Sequence, residues 1–135
     1  MIDIKKIVIH CSATKPSHNV RSEDIKDWHK KKGWRDIGYH YVICRDGTVE
    51  KGRQEYESGA HVKGHNSNSL GLCLIGGVDN KGNPCANYTL DQYIALNQVK
   101  RDLEDSYPNA KWYGHYELDS GKACPCFDIH SLLGV

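Results

Sequence analysis

The sequence predicts an α/β fold in which a single domain holds a central mixed β-sheet flanked by helices. Its 135 residues are the length of one ordinary domain, and no repeat or linker-like segment divides them. Short apolar runs rich in β-branched residues alternate with two longer segments of helical periodicity. The resulting order of strand, helix, hairpin, strand, helix and strand is typical of a sheet with helices packed against it.

The first predicted strand is the run "KKIVIHCSA". Because side chains alternate along a strand, Ile7, Ile9 and Cys11 share one face, while Val8 and His10 share the other. His10 lies near the end of the apolar run, so we expect it at the carboxyl end of this strand.

The first predicted helix is the segment "SEDIKDWHKKKG". Ser22 is expected as its N-cap, acidic residues occupy the first turn, lysines occupy the last turn, and Gly33 follows the end. Its apolar stripe is narrow and consists chiefly of Ile25 and Trp28.

The remaining elements follow from turn and capping signals. Asp46 and Gly47 lie between two strand-like runs in "GYHYVICRDGTVEKG" and predict a hairpin. The run "SLGLCLIGG" is apolar enough for a central strand. Thr89 and Gln92 have capping-box spacing at the start of the second helix, "TLDQYIALNQVKRDLEDSYP". A last strand, "AKWYGHY", then brings His115 close to its end.

Charge and composition narrow the classes of function. Lys and Arg total 18 and Asp and Glu total 17, so a net charge of +1 argues against a nucleic-acid partner held by bulk electrostatics. Asp3, Lys5 and Lys6 interrupt the amino-terminal apolar run, and no segment has the length of a membrane span. We therefore expect no membrane insertion and synthesis in the cytoplasm without a signal peptide. In that reducing compartment, the six cysteines indicate buried thiols or metal ligands rather than disulfides.

Three side chains are candidates for a metal site. His10 and His115 are expected at or near strand ends, and Cys124 lies in the loop "SGKACPCFD". Catalytic zinc sites use three such nitrogen or sulfur ligands and leave the fourth position for water. The spacing alone leaves an alternative open, in which both histidines are half-buried and hydrogen-bonded and the cysteine is a small apolar residue.

Five segments carry a resemblance to a known family: "VIHCSAT", "GWRDIGYHYVICRDGTVEKGR", "HNSNSLGLCLIGG", "GHYE" and "KACPCFD". In this order, from about Ile7 to Phe127, they resemble the zinc-dependent N-acetylmuramoyl-L-alanine amidases, particularly the short phage lysozymes of the endolysin type. Peptidoglycan recognition proteins share the fold more distantly. The resemblance implies that residues 1–135 form one catalytic amidase domain without a separate cell-wall-binding domain.

The resemblance also implies an activity and its residues. The substrate would be bacterial peptidoglycan, cleaved at the amide between N-acetylmuramic acid and L-alanine after the enzyme is released to the wall of a phage host. One zinc ion would be held by His10, His115 and Cys124. Tyr39 would lie beside the reacting water, and Lys122 would stabilise the transition state. Recognition proteins without hydrolytic activity typically lack the cysteine, so its presence favours an enzyme.

Several neighbouring residues carry competing interpretations. His61 is expected either to contact the substrate from the wall of the groove or to be a solvent-facing loop histidine. Cys126, where relatives usually have a small residue, could be inert, compete for zinc or oxidise with Cys124. We expect Cys11 to face away from the metal and His40 to have a packing role. Buried thiols are expected at Cys44 and Cys73, and surface or loop positions at His18, His29, His65 and His130.

Three other functions stay open. A thiol peptidase would use Cys124 or Cys11 as nucleophile with a histidine as base. A non-hydrolytic protein would bind peptidoglycan or regulate a phage RNA polymerase. A glycosidase would need paired carboxylates with separated pKa values, and no such pair stands out. A monomer is the default expectation.

Overall fold

In the computed structural model, which describes residues 3–135, strands and helices alternate along the chain. They are β1 (Lys6–Cys11), α1 (Ser22–Lys31), β2 (Tyr41–Ile43), β3 (Val49–Lys51), β4 (Ser69–Leu74), α2 (Leu90–Ser106), β5 (Lys111–Gly114), α3 (His115–Leu118) and α4 (Ile129–Leu133). Each predicted strand and helix is present. The two short helices α3 and α4, which the sequence patterns do not predict, follow the last strand.

The five strands form one mixed sheet in the order β3-β2-β4-β1-β5. β1 lies parallel to β4 and β5, β2 lies parallel to β4, and β3 pairs antiparallel with β2. This arrangement confirms the predicted mixed sheet. Because the central strands are parallel, their carboxyl ends meet at one edge, where ligands of α/β proteins commonly bind.

Helices cover both faces of the sheet. One face packs against α2 and α4 in an apolar cluster that includes Ile7, Ile9, Leu72, Leu96 and Ile129. The other face packs against α1 in a smaller cluster that includes Ile25, Ile37, Val42, Cys73 and Ile75. The predicted alternation along β1 is confirmed, since Ile7 and Ile9 lie in the first cluster while His10 lies beside the residues of the second.

The amino terminus of α1 differs from the prediction. Arg21 is the N-cap, and Ser22 is the first helical residue. The Asp24 carboxylate accepts a hydrogen bond from the Arg21 backbone N–H at 2.9 Å. The cap therefore comes from an acidic side chain inside the first turn rather than from a serine hydroxyl.

The buried stripe of α1 also differs from the prediction. Ile25 and His29 are its buried residues, whereas Trp28 is 41% exposed. Residues four apart lie on the same face of a helix, so His29 shares the inward face with Ile25. The buried stripe is thus partly polar, which the apolar pattern could not reveal.

The start of α2 is tied to the sheet by its capping box. Thr89 Oγ1 accepts from the Gln92 N–H, and Gln92 Oε1 accepts from the Thr89 N–H, as predicted. The buried Gln92 amide also donates to the carbonyl oxygens of Ile43 and Ile75 at 3.1 and 2.8 Å. These bonds fix the helix against the carboxyl ends of β2 and β4. Within residues 3–135, no helix combines the length and apolar character needed to cross a bilayer.

Candidate metal centre

His10 and His115 meet at the carboxyl edge of the sheet. His10 is the penultimate residue of β1, and His115 directly follows β5. Ile9 pairs with Gly114 across the two parallel strands, and in each segment the next residue along the chain is a histidine. Their Nδ1 atoms are 3.0 Å apart. This spacing suits two nitrogen ligands of one tetrahedral ion.

Cys124 reaches the same point from the loop between α3 and α4. Its carbonyl oxygen accepts from the Tyr116 N–H at 3.0 Å, and the Tyr88 hydroxyl donates to the next carbonyl, that of Pro125, at 2.8 Å. Its sulfur accepts a hydrogen bond from the Cys11 backbone N–H at 2.7 Å. The ligand atoms of His10, His115 and Cys124 all lie within 4.8 Å of one another, and no other such group occurs among residues 3–135.

The protonation states of this group suit a cation. Burial, with the charges of His61 and His115, holds the pKa of His10 well below its ordinary value. Burial and the Lys122 charge lower the pKa of His115, although Asp119 opposes them. Both imidazoles are therefore neutral at pH 7 and offer lone pairs. The neighbouring Cys11 thiol and burial raise the pKa of Cys124, so a bound cation would have to displace its proton. Two neutral imidazoles and a thiol form a donor set that fits zinc.

Tyr39 lies beside the metal-ligand group. Its ring centroid is 5.2 Å from that of His10, and the side chain packs on the smaller apolar cluster. Burial, followed by the charges of nearby thiols, raises the pKa of Tyr39 well above its ordinary value. The phenol is thus a hydrogen-bond donor rather than a base at neutral pH.

Lys122 lies on the exposed loop that precedes Cys124. Its backbone N–H donates to the Asp119 carbonyl at 3.0 Å, which closes a turn. The Lys122 ammonium is near enough to His115 for its charge to lower the pKa of that imidazole. The structure therefore brings His10, His115, Cys124 and Tyr39 together, with Lys122 on the adjoining loop.

His61 also lies in this centre, but it is not the solvent-facing histidine of one interpretation, because it is only 9% exposed. Its Nδ1 is 2.9 Å from Nε2 of His10, and its Nε2 is 3.2 Å from the Ser69 hydroxyl oxygen. Sequence reasoning missed Ser69, and no signal in the sequence singled it out.

His29 is another residue that sequence reasoning missed. It is buried rather than at the surface, and its Nδ1 accepts from the Gly38 N–H at 2.8 Å. Its ring centroid is 5.7 Å from that of Tyr39. The spacing of four residues from Ile25 is the available signal. His29 therefore supports the segment that carries Tyr39.

The remaining cysteines and His40 lie outside the metal-ligand group. All six cysteines are free, and Cys44 and Cys73 are buried as predicted. Cys126 donates to the Gly77 carbonyl at 3.4 Å and is not part of the metal-ligand group. The expectation for Cys11 was incomplete: its side chain packs in the larger apolar cluster, but its backbone N–H contacts Cys124. Nδ1 of His40 accepts a hydrogen bond from the Gly71 N–H, and its Nε2 donates to the Glu57 carbonyl oxygen, in agreement with a packing role.

Comparison with known proteins identifies the family. A family model described as "N-acetylmuramoyl-L-alanine amidase" matches residues 2–127. The chain belongs to this family. Similar proteins include the endolysin of Enterobacteria phage K11, 50% identical over 94% of this chain and 83% of that protein. The endolysin of Escherichia phage T7 is 50% identical over 91% of this chain and 81% of that protein.

Solved structures of the amidase fold agree with this assignment. The N-acetylmuramoyl-L-alanine amidase LysC from Clostridium intestinale superposes with a TM-score of 0.83 at 27% identity, covering 98% of this chain and 85% of that one. The complex of peptidoglycan recognition proteins LCa and LCx bound to tracheal cytotoxin gives a TM-score of 0.73 at 26% identity, covering 92% of this chain and 76% of the other. The predicted relation to both groups is confirmed.

Proposed function

We propose that this chain is a zinc-dependent N-acetylmuramoyl-L-alanine amidase that cleaves the amide between N-acetylmuramic acid and L-alanine in bacterial peptidoglycan. The observation that carries the proposal is the grouping of His10, His115 and Cys124 within 4.8 Å at the carboxyl edge of the sheet. Family membership supports the reaction, and the names of the phage relatives support a lytic role.

The metal would be held by Nδ1 of each histidine and the sulfur of Cys124. When bound in such a site, zinc lowers the pKa of a water molecule to about 7 and polarises a carbonyl group. The two imidazoles are neutral at pH 7, so they can bind without losing protons. The Cys11 N–H opposes the negative charge that Cys124 acquires on binding.

Tyr39 and Lys122 are proposed to act on the substrate. Negative charge develops on the carbonyl oxygen of the scissile amide, and the exposed Lys122 ammonium, which is near His115, would stabilise it. Tyr39 stays protonated, so its hydroxyl would donate a hydrogen bond that orients the attacking water. The proton that the leaving amine collects would come from that water. A contact between His61 and the muropeptide stays a prediction.

The proposal also covers where the enzyme is made and where it acts. The chain would act as a single catalytic domain of a phage endolysin, made in the host cytoplasm and active on the cell wall after release. The names of the recognition-protein complexes with tracheal cytotoxin support peptidoglycan as the ligand of this fold. A monomeric state and contact with a phage RNA polymerase stay predictions.

The decisive experiment is mass spectrometry of purified peptidoglycan after digestion. We expect stem peptides with new alanine amino termini, loss of this product after zinc removal by dipicolinate, and its return when zinc is restored. New reducing ends would instead indicate a glycosidase. Activity that survives metal removal and is abolished by iodoacetamide would indicate a thiol peptidase, and intact peptidoglycan would indicate a binding protein.

A further inference from the structure

A line of hydrogen bonds runs along the face of the sheet from Ser69 to the metal centre. Ser69 begins β4, and its hydroxyl oxygen is 3.2 Å from Nε2 of His61. The other ring nitrogen of His61, Nδ1, is 2.9 Å from Nε2 of His10. His10 in turn presents Nδ1 to His115 at 3.0 Å. His61 is therefore the direct neighbour of a metal ligand, on the side away from the metal.

One placement of protons agrees with every contact in this line. If Nδ1 of His10 binds a cation, its ring proton must be on Nε2, which then donates to Nδ1 of His61. His61 consequently carries its own proton on Nε2 and donates it to the Ser69 hydroxyl oxygen. Both ring nitrogens of His61 are used, so a hydrogen bond from either one to the substrate would require one of these contacts to break.

Close packing against two glycines restricts the position of the His61 ring. A Cβ atom at Gly71 would lie 2.7 Å from Cγ of His61, and one at Gly59 would lie 2.6 Å from its Cδ2. Any larger residue at either position would displace the ring. The Asn66 side-chain oxygen also accepts from the N–H groups of His61 and Val62 at 2.8 and 2.9 Å. Side chain and backbone of His61 are thus both held in place.

We propose that His61, supported by Ser69, is a positioning residue that holds His10 in the tautomer and orientation needed to bind zinc through Nδ1. The inference rests on the proposed zinc site and assigns His61 a role different from substrate contact. Hydrogen-bond partners of metal-binding histidines fix the ring and raise its basicity, and their loss typically weakens metal binding about 10- to 100-fold.

The test is zinc affinity, measured by competition with a chromogenic chelator on the full chain. His61→Leu removes the acceptor at nearly constant volume, and we expect zinc to bind about 10- to 100-fold more weakly. His61→Asn keeps an acceptor near the position of Nδ1, so its affinity should stay near that of the wild type. Val62→Ala is the matched control, because Val62 is buried next to His61 in the chain and its side chain offers no hydrogen-bond acceptor to His10.

The outcomes separate this inference from the proposed function. A wild-type chain that binds no zinc would refute the zinc site itself. Wild-type zinc binding with unchanged affinity in folded His61→Leu would refute only the positioning role. The positioning role would also be refuted if His61→Asn loses as much affinity as His61→Leu, or if both variants keep their zinc and only KM for peptidoglycan rises.

A second measurement covers the case in which His61→Leu does not fold. Long-range ¹H–¹⁵N NMR of the zinc-loaded wild type should show a proton on Nε2 of His10 and an unprotonated Nδ1 on His61. Coordination through Nε2 of His10 would overturn the inference. Ser69→Ala should leave the fold intact and weaken zinc binding by a smaller factor than His61→Leu.

Discussion

The backbone N–H of Cys11 donates a hydrogen bond to the sulfur of Cys124 at 2.7 Å, although 113 residues separate the two. A donor aimed at this sulfur favours the thiolate, since hydrogen bonds to charged acceptors are stronger than those to neutral ones. The bond uses the main chain, so it does not depend on the side chain at position 11. It links the end of β1, which carries His10, directly to the loop that carries the third proposed ligand.

Substitutions of three cysteines should show which of them binds zinc. We expect Cys124→Ser to weaken zinc binding by more than about 100-fold, beyond the effect of most hydrogen-bond partners of metal ligands. Cys126→Ser should retain zinc, and so should Cys11→Ala, which keeps the backbone N–H. Zinc content after dialysis, measured by atomic absorption, checks this expectation. Loss of zinc in Cys126→Ser alone would transfer the ligand role to that residue.

Lys122→Ala should reduce kcat by about 10²- to 10³-fold, the range seen when one donor to a developing oxyanion is removed. Zinc content and unfolding free energy should not change, because the side chain is exposed. Lys111→Ala is the control, since it removes an exposed lysine at the amino-terminal end of β5, away from the metal centre. Equal turnover of fluorescently labelled peptidoglycan by both variants would exclude a catalytic role for Lys122.

Tyr39→Phe should lower kcat by about 10²-fold or more while zinc affinity stays constant, since the hydroxyl is proposed to position the attacking water through a hydrogen bond. Tyr56→Phe, at an exposed tyrosine, provides the comparison. Single-turnover digestion of muropeptides checks the chemical step directly. A Tyr39→Phe enzyme with wild-type turnover would leave the hydroxyl without a role in the reaction.

The zinc-free protein should lose stability as the pH falls below about 6.5. Burial, with the charges of His40 and His115, lowers the pKa of His61 to about 3, whereas an unfolded histidine titrates near 6.5. The unfolded state therefore binds more protons between these values. The contribution of His61 is fully present above pH 6.5 and declines towards pH 3, at up to about 1.4 kcal/mol per pH unit.

Urea unfolding of the zinc-free protein at several pH values from 7 to 4.5 measures this slope. His61→Asn should flatten the decline, because it removes a group that is neutral when folded and charged when unfolded. The decline that remains should reflect the other buried and half-buried histidines, whose pKa values are also lowered mainly by burial: His10, His29, His40 and His115. Parallel curves for wild type and variant would mean that His61 keeps its ordinary pKa in the folded protein.

Gly71→Ala should destabilise the fold by about 1–3 kcal/mol, the usual cost of overpacking. The added Cβ would lie 2.7 Å from Cγ of His61, in a sheet strand that cannot move freely. Gly121→Ala is the control, because the nearest atom there would be at an ordinary 3.5 Å. A difference below about 0.5 kcal/mol between the two variants would contradict the tight packing of His61.

Local sequence patterns are sufficient to predict the strands, the hairpin and the α2 capping box, because each of these depends on residues close together in the chain. They predict the helix α1 in the correct place but with the wrong buried stripe. Its inward face includes His29, and a polar residue buried through a hydrogen bond to Gly38 leaves no apolar signal. The short α3 and α4 are not foreseen, since helices of four and five residues have too little periodicity to detect.

The sequence by itself determined the mixed α/β fold and, through its motifs, the family and the three candidate ligands. The tertiary structure alone decided that Nδ1 of His10 faces His115, that the Cys11 main chain contacts Cys124, and that Cys126 lies outside the group. It also decided that His61, expected either to contact the substrate or to face solvent, is buried against His10. These contacts join residues 51 to 113 positions apart, so strand register and loop packing, rather than any local pattern, bring them together.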